Sequence, residues 1–276
     1  MKEWGIKTGR LVSFALLLLP ALLFGHDSRG GNAIITLYHD EGVWLDGLIA
    51  TEHMLDWMGL GWREVNADEL NEHGLRGFRV FWLPGGWAPD YLEKIHASGR
   101  EAILKLVRKG GAYVGVCAGA YYAAQIVVWE GESHPYPLGL FRGRVVGPEI
   151  YPWPRYGMVE LELTEHPINI GTQEEWVLLY GGGHFEPAAS QGQEQEVEVL
   201  ARYKETGQPA AIAFSYGQGR VLLIGVHPEI EEDDTRDETY FAQHLEDRGS
   251  DWPRMRAMLE WLLNMKEARW CFKISC

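Results

Sequence analysis

Short apolar runs alternate with helix-spaced patterns along the first 130 residues. Apolar, β-rich runs predict strands at 33–38, 62–65, 78–83 and 112–116. Apolar side chains at helical spacing predict helices at 44–60, 90–109 and 119–128. Strands that alternate with helices predict a parallel sheet with helices on both faces, a doubly wound α/β domain.

The second half of the chain contains mostly strand patterns separated by Gly, Pro and charged residues. Strands are predicted at 144–151, 158–163, 176–180, 197–203, 210–216 and 220–225. We expect them to add antiparallel strands and then return to the central sheet, before an amphipathic helix at 252–268 closes the domain. The acidic segment 230–251 between the last strand and this helix is interpreted as a solvated surface loop.

The first 25 residues differ from the rest of the chain. Lys2, Lys7 and Arg10 precede a 14-residue apolar run, and Gly25 and a polar stretch follow it. This order is typical of a secretory signal, with an uncleaved membrane anchor as the alternative. We therefore expect an exported protein, periplasmic or extracellular, whose domain covers residues 32–276 and is not stably inserted in a membrane after cleavage. Cys271 and Cys276 are either a disulfide or two peripheral thiols.

Composition narrows the possible functions. The chain is 46% hydrophobic, which is enough for a full core, and its net charge is −14. An acidic chain without basic runs repels phosphate backbones, so we expect no nucleic-acid partner. The His and Cys spacings match no zinc pattern, and we expect no metal and no cofactor.

The third cysteine lies in an unusual context. In Gly115-Val116-Cys117-Ala118-Gly119, an apolar strand runs into a cysteine that has Gly two residues away on each side, and a helix follows. This is the pattern of a nucleophile elbow, a tight and strained turn that leaves no room for side chains at the two glycines. The first turn of the helix would also favour a thiolate. The alternative is a buried structural cysteine in a Gly-rich strand end.

A thiol nucleophile requires a base and a group that orients the base. His227 follows the apolar run 221–226 and is separated from Glu229 only by Pro228. The carboxylate could fix the imidazole tautomer and stabilise the imidazolium. We therefore predict Cys117, His227 and Glu229 as a catalytic triad.

Two other Gly-rich segments follow predicted strands. Gly86, with Gly85 as its alternate, is predicted to complete an oxyanion hole with the N–H of Ala118, or else to form an ordinary turn. The segment Tyr180–Phe185 contains three glycines that could fold over the pocket, or form only a flexible hairpin. The residues predicted to contact substrate are Trp87, Tyr121, Gly182 and His184, with Tyr122 and Phe185 as further candidates.

Four segments in order carry a resemblance to a known family. GVCAGAYYAA, FRGRVVGP, LLYGGGHFEP and GVHPE resemble the N-terminal domain of biotin–protein ligases, within the class I glutamine amidotransferase-like superfamily. The resemblance covers about residues 34–229. It implies a flavodoxin-like sheet, Cys117 as nucleophile, His227 as base, Glu229 as its orienter, and Gly86 and Ala118 as oxyanion donors.

The resemblance has two limits. Glutamine amidotransferases usually carry Gly-x-Gln after the elbow cysteine, whereas Tyr121 stands at that Gln position here. We also expect no ligase or synthetase domain in this chain, so the resemblance does not extend to biotin transfer.

Three functions remain: a thiol hydrolase or amidase acting on a small amide or peptide-like substrate, a non-catalytic small-molecule binding module that retains the pocket, and a redox-reactive thiol protein.

Overall fold

The structure is a computed structural model that describes residues 34–169, 173–188, 195–231, 235–246 and 248–263. The predicted export signal, residues 232–234 and 247 of the acidic segment, the end of the predicted closing helix, Cys271 and Cys276 lie outside these residues. No helix in the described ranges is both long enough and apolar enough to cross a bilayer.

Helices and strands are numbered in chain order over the described ranges. The helices are α1 (Leu45–Trp57), α2 (Ala67–His73), α3 (Ala88–Lys94), α4 (Ala97–Arg108), α5 (Ala118–Ala123) and α6 (Trp252–Leu262). The first strands are β1 (Ile35–Tyr38), β2 (Trp62–Val65), β3 (Val80–Leu83), β4 (Ala112–Val116), β5 (Ala124–Trp129), β6 (Glu132–Pro135) and β7 (Phe141–Gly147). The later strands are β8 (Tyr156–Leu163), β9 (Glu174–Tyr180), β10 (His184–Pro187), β11 (Val197–Tyr203), β12 (Pro209–Tyr216) and β13 (Gly219–Ile224).

The main sheet has nine strands in the order β2-β1-β3-β4-β13-β12-β11-β8-β9. Its first five strands pair in parallel, in the flavodoxin-like order with β13 as the fifth strand. The other four extend the sheet by antiparallel pairing. The predicted mostly parallel sheet with added antiparallel strands and a return to the centre is confirmed.

Alternating side chains of the parallel strands build two cores, one on each face of the sheet. Val80 and Trp82 belong to the core beneath α1 and α6, whereas Phe81 and Leu83 pack toward α3, α4 and α5. Because both faces are covered, the inner strands β1, β3 and β4 are nearly continuous apolar runs, whereas the edge strand β2 contains Arg63 and Glu64. Because β3, β4 and β13 pair in parallel, their carboxyl ends lie at the same edge of the sheet.

A second sheet, in the order β10-β7-β5-β6, was not predicted. The helix predicted at 119–128 ends at Ala123, and β5 continues the chain by pairing in parallel with β7 and antiparallel with β6. Its run AQIVVW is apolar enough for a helix or a strand, and it forms a strand because it pairs with β6 and β7. The strand predicted at 144–151 begins earlier and ends at Gly147, before Pro148, which has no N–H to donate.

The helix predicted at 90–109 is two helices that meet at an extended Ile95. The side chain of Asn71, in α2, bridges this break. Its amide nitrogen donates to the carbonyl of Lys94, and its oxygen accepts from the N–H of His96. A polar residue from a distant element therefore satisfies the backbone groups that the interrupted helix leaves open.

The prediction of a solvated acidic loop at 230–251 holds for Glu238 and Glu246, which are exposed. It was wrong for Glu231 and Asp237, which are each only 1% exposed. The Asp237 carboxylate accepts from the backbone N–H groups of Glu231 and Thr239, and Ser250 donates to the carboxylate of Glu231. These charges are buried because local hydrogen bonds replace water around them.

Candidate active site

Cys117 occupies the strained corner between β4 and α5. Its φ of 47° and ψ of −106° lie outside the usual regions for a non-Gly residue. A Cβ on Gly119 would lie 2.0 Å from the carbonyl oxygen of Leu83, and one on Gly115 would lie 2.6 Å from that of Gly119. The expectation that the flanking glycines prevent collisions with the neighbouring strand and helix is confirmed, and the elbow geometry is present.

His227 and Glu229 follow β13 and are each 1% exposed. Nδ1 of His227 lies 2.8 Å from Oε1 of Glu229. The edge of Trp44 packs against the imidazole, with ring centroids 5.0 Å apart, and the indole N–H of Trp252 donates to the backbone carbonyl of Glu229. The imidazole is thus held from several sides in one orientation.

The thiol and the imidazole meet at the carbonyl oxygen of Tyr180, at the end of β9. Sγ of Cys117 lies 3.5 Å from this oxygen, and Nε2 of His227 lies 3.3 Å from it. The backbone of Gly85 lies beside both side chains, since a Cβ there would be 2.6 Å from Cε1 of His227 and 3.5 Å from Cβ of Cys117. The structure therefore brings together the three residues predicted as a triad.

The charge state of His227 follows from these neighbours. Burial lowers its pKa, but the charges of Glu229 and Cys117 and the hydrogen bonds to both outweigh burial and raise the pKa well above its ordinary value. An oxygen acceptor next to each ring nitrogen is consistent with a protonated ring. The positive charge of the imidazolium lies beside Sγ of Cys117, the candidate nucleophile.

The two residues predicted as oxyanion donors lie at the same opening. Ala118 is the first residue of α5, so its N–H has no acceptor within the helix. Gly86 has a φ of +151°, and a Cβ there would be 2.0 Å from the carbonyl oxygen of Gly42. Only glycine allows the backbone to approach this closely.

A cavity of about 660 Å³ opens over Cys117. It is lined by Gly86, Trp87, Cys117, Ala118, Tyr121 and His227, all predicted site residues. Its other aromatic lining comes from residues that the sequence did not single out: Trp44, Trp129, Tyr136, Trp153 and Tyr180. Glu229 lies behind His227, outside the lining.

Two predicted substrate contacts require correction. Gly182 packs against the main sheet, where a Cβ would be 1.6 Å from the carbonyl oxygen of Gly225. His184 is buried outside the cavity lining, with Nδ1 2.6 Å from Glu149. The further candidates Tyr122 and Phe185 are also buried away from it. The Gly-rich segment contributes Gly181 to the lining, while the residues after it enter β10 and the second sheet.

Sequence reasoning missed the backbone carbonyl of Tyr180, which contacts the thiol and the imidazole, and Trp44, which packs on the imidazole. The signal for Tyr180 was its position directly before the three glycines at a strand end. Gly181, at φ +68°, lets Trp153 lie over it, since a Cβ there would be 3.0 Å from that indole. Trp153 in turn stacks on Tyr180, with ring centroids 4.9 Å apart.

Comparison with known proteins identifies the family of the chain. The family described as "Biotin-protein ligase, N terminal" matches residues 64–269. A biotin–protein ligase of Schizosaccharomyces pombe is 30% identical over 174 residues, 56% of this chain and 27% of the relative. An uncharacterized Chlamydia muridarum protein is 34% identical over 160 residues, 53% of this chain and 59% of the relative.

The chain thus spans less than two thirds of either relative. Among solved structures, a glutamine amidotransferase superposes with a TM-score of 0.53 at 23% identity, covering 76% of this chain and 97% of that one. This similarity concerns the fold, which is that of a glutamine amidotransferase-like domain. The chain therefore belongs to the family of biotin–protein ligase N-terminal domains.

Proposed function

We propose that the chain is a cysteine-dependent hydrolase or amidase that acts on a small amide or peptide-like substrate. The observation that carries the proposal is the shared neighbour of thiol and imidazole. Sγ of Cys117 and Nε2 of His227 lie 3.5 and 3.3 Å from the carbonyl oxygen of Tyr180. Nδ1 of the same imidazole lies 2.8 Å from Glu229. A nucleophile, a base and a group that orients the base are the parts that thiol catalysis requires.

The reaction begins when Sγ of Cys117 adds to the substrate carbonyl carbon, whose oxygen becomes an oxyanion facing the N–H groups of Gly86 and Ala118. The C–N bond then breaks, the amine takes a proton from Nε2 of His227, and a thioester remains. Water attacks the thioester, gives a proton to His227, and releases the acid and the thiolate. Glu229 stabilises the imidazolium at each stage.

Peptide-resolved mass spectrometry after brief iodoacetamide treatment tests the proposal. We expect rapid alkylation of Cys117 in the folded protein, and alkylation that is slower by about a hundredfold in His227→Ala. His184→Ala is a matched control, because it removes the imidazole of a second buried His–Glu pair outside the cavity lining. A Cys117 that resists alkylation, or that reacts equally fast in His227→Ala, would remove the basis for the hydrolase.

The size of the aromatic cavity favours one second candidate, a binding module without turnover. Pockets of about 300–1,000 Å³ with mostly apolar walls are typical of small-molecule sites, and this cavity of about 660 Å³ falls in that range. A binding module predicts equal ligand affinity in the native chain and in Cys117→Ala, and no release of ammonia from any amide. An acyl-thioester adduct on Cys117 in the intact-protein mass spectrum would exclude it.

A further inference from the structure

Three indole rings form one wall of the cavity above Cys117. Trp87, Trp129 and Trp153, together named the tryptophan corner, have ring centroids 5.9, 6.1 and 6.2 Å apart. Their planes differ by 86° between Trp87 and Trp129 and by 38° between Trp87 and Trp153. Trp87 and Trp153 are 43% and 40% exposed, so large apolar ring surfaces remain open to an occupant.

The tryptophan corner is joined directly to the reacting groups. Trp87 follows Gly86, the predicted oxyanion donor. Trp153 stacks at 14° on Tyr180, whose carbonyl oxygen contacts both the thiol and the imidazole. A group attached to the reacting carbonyl would therefore extend from the sulfur onto these rings.

The lining offers little to a charged ligand. Over the described residues, no Asp, Glu, Lys or Arg lines the cavity, and its ionisable side chains are cysteine, histidine and tyrosine. The ammonium group of a free amino acid would lose water here without gaining a carboxylate partner, and its carboxylate would find only His227, which is already paired with Glu229. An uncharged, flat apolar group loses no such interactions and gains contacts with the indole faces.

We infer that the site takes amides whose acyl side carries an uncharged aromatic group seated in the tryptophan corner, and that free glutamine is a poor substrate. The inference rests on the proposed hydrolase and adds its substrate class. The acyl group becomes the thioester on Cys117 and leaves as the acid, while the amine leaves with a proton from His227. The aromatic ring takes no part in bond breaking and sets the specificity.

Ammonia release from primary amides tests this inference, because the leaving group is then constant and not aromatic. We expect kcat/KM for 3-phenylpropanamide to exceed that for acetamide by about a hundredfold. It should exceed that for 3-cyclohexylpropanamide, which has the same chain but a ring that is not flat, by about fivefold. Glutamine should be turned over more slowly than 3-phenylpropanamide.

Trp129→Ala should lower the ratio of phenylpropanamide to acetamide turnover by about tenfold. Trp57→Ala is the matched control, since Trp57 is as exposed as Trp87, at 43%, packs on Trp252 and lies outside the cavity lining. The control should leave the ratio unchanged. Using a ratio removes any general loss of folded protein from the comparison.

Failure of the inference and failure of the hydrolase give different results. Turnover that requires Cys117 but shows no preference for the aromatic amide overturns the inference and leaves the hydrolase standing. If no amide releases ammonia, the proposed hydrolase activity is rejected. Calorimetric titration of Cys117→Ala with 3-phenylpropanamide then tests the aromatic binding site by itself. Binding that is lost on adding Trp129→Ala supports the aromatic site, and absence of binding overturns it.

Discussion

Glu229→Gln removes one charge beside the buried imidazole of His227 and changes its shape very little. Two unit charges 2.8 Å apart attract by about 6 kcal/mol at an effective dielectric constant of about 20. Burial of the pair offsets part of this, and loss of one partner of a buried pair costs about 3–5 kcal/mol. The amide oxygen can still accept from Nδ1, so we take the lower limit.

A loss of about 3 kcal/mol in the stability of the imidazolium lowers the equilibrium constant for protonating His227 by about a hundredfold, at about 1.4 kcal/mol for each factor of ten. Without the Glu229 charge, burial lowers the pKa of His227 with less opposition, so the positive charge beside Sγ of Cys117 is held less firmly. We therefore expect alkylation of Cys117 by iodoacetamide at pH 7 to slow by about a hundredfold.

The rate is measured by quenched labelling and peptide mass spectrometry between pH 5 and 10. The deficit should be greatest near neutral pH and shrink at strongly alkaline pH, where thiols ionise unaided. Glu149→Gln is the matched control, because it changes the carboxylate of the other buried His–Glu pair and should leave the Cys117 rate as it is. A rate in Glu229→Gln within threefold of the native rate would refute the reasoning.

Three further substitutions test separate features. Gly85→Ala places a Cβ 2.6 Å from Cε1 of the candidate base; we expect about a hundredfold slower Cys117 alkylation with an unchanged circular dichroism spectrum, and an unchanged rate would contradict this. Burial opposes charge on Glu149 and His184, but their mutual attraction lowers the pKa of Glu149 and raises that of His184. The lowered pKa of Glu149 gives stability that is lost as pH falls through that pKa in the folded protein. The raised pKa of His184 gives stability that is lost as pH rises through the His184 pKa in the folded protein. Glu149→Gln should therefore lower the urea midpoint most between about pH 4.3 and 6.5, and a pH-independent loss would argue against the pair. The pKa of Glu52 is raised to about 8, mainly by burial and further by the hydrogen bond and the charge of Glu64. Stability from this group is full below about pH 4.3 and is lost as pH rises through about 8, so Glu52→Gln should stabilise the fold against urea at pH 9 but not at pH 4. Equal midpoints at pH 9 would show that Glu52 is not desolvated.

Most of the parallel half of the fold could be predicted because burial on both faces makes β1, β3 and β4 separate apolar runs, each with a helix pattern after it. The short helix α2, which follows the more polar edge strand β2, was not predicted. The same logic fails at β5, whose apolar run allows a helix or a strand and becomes a strand only through its partners β6 and β7. It also fails at Ile95, where the side chain of Asn71 from a distant helix pairs with the backbone groups at the break. Both decisions are made by contacts that the local pattern does not contain.

The residues of the candidate site likewise include some that could be predicted from the sequence and some that could not. Cys117, His227 and Glu229 could be predicted because each occupies a strand end, and strand ends of a parallel sheet meet at one edge. Trp129 and Trp153 could not, because they reach the cavity from the second sheet and from the turn after β7, neither of which the sequence indicated. His184 has a local motif much like that of His227, but its strand belongs to the second sheet and its imidazole points to Glu149.

The order of strands in the main sheet has a consequence for the growing chain. β4, which delivers Cys117, pairs with β13, which delivers His227, and about a hundred residues of antiparallel strands and second sheet lie between them. Closing so long a loop comes late in folding. During synthesis the candidate base is therefore made long after the candidate nucleophile, and the two side chains can meet only when nearly the whole domain has been made and β13 has paired with β4. An unfinished or truncated polypeptide lacks the imidazole beside Sγ of Cys117.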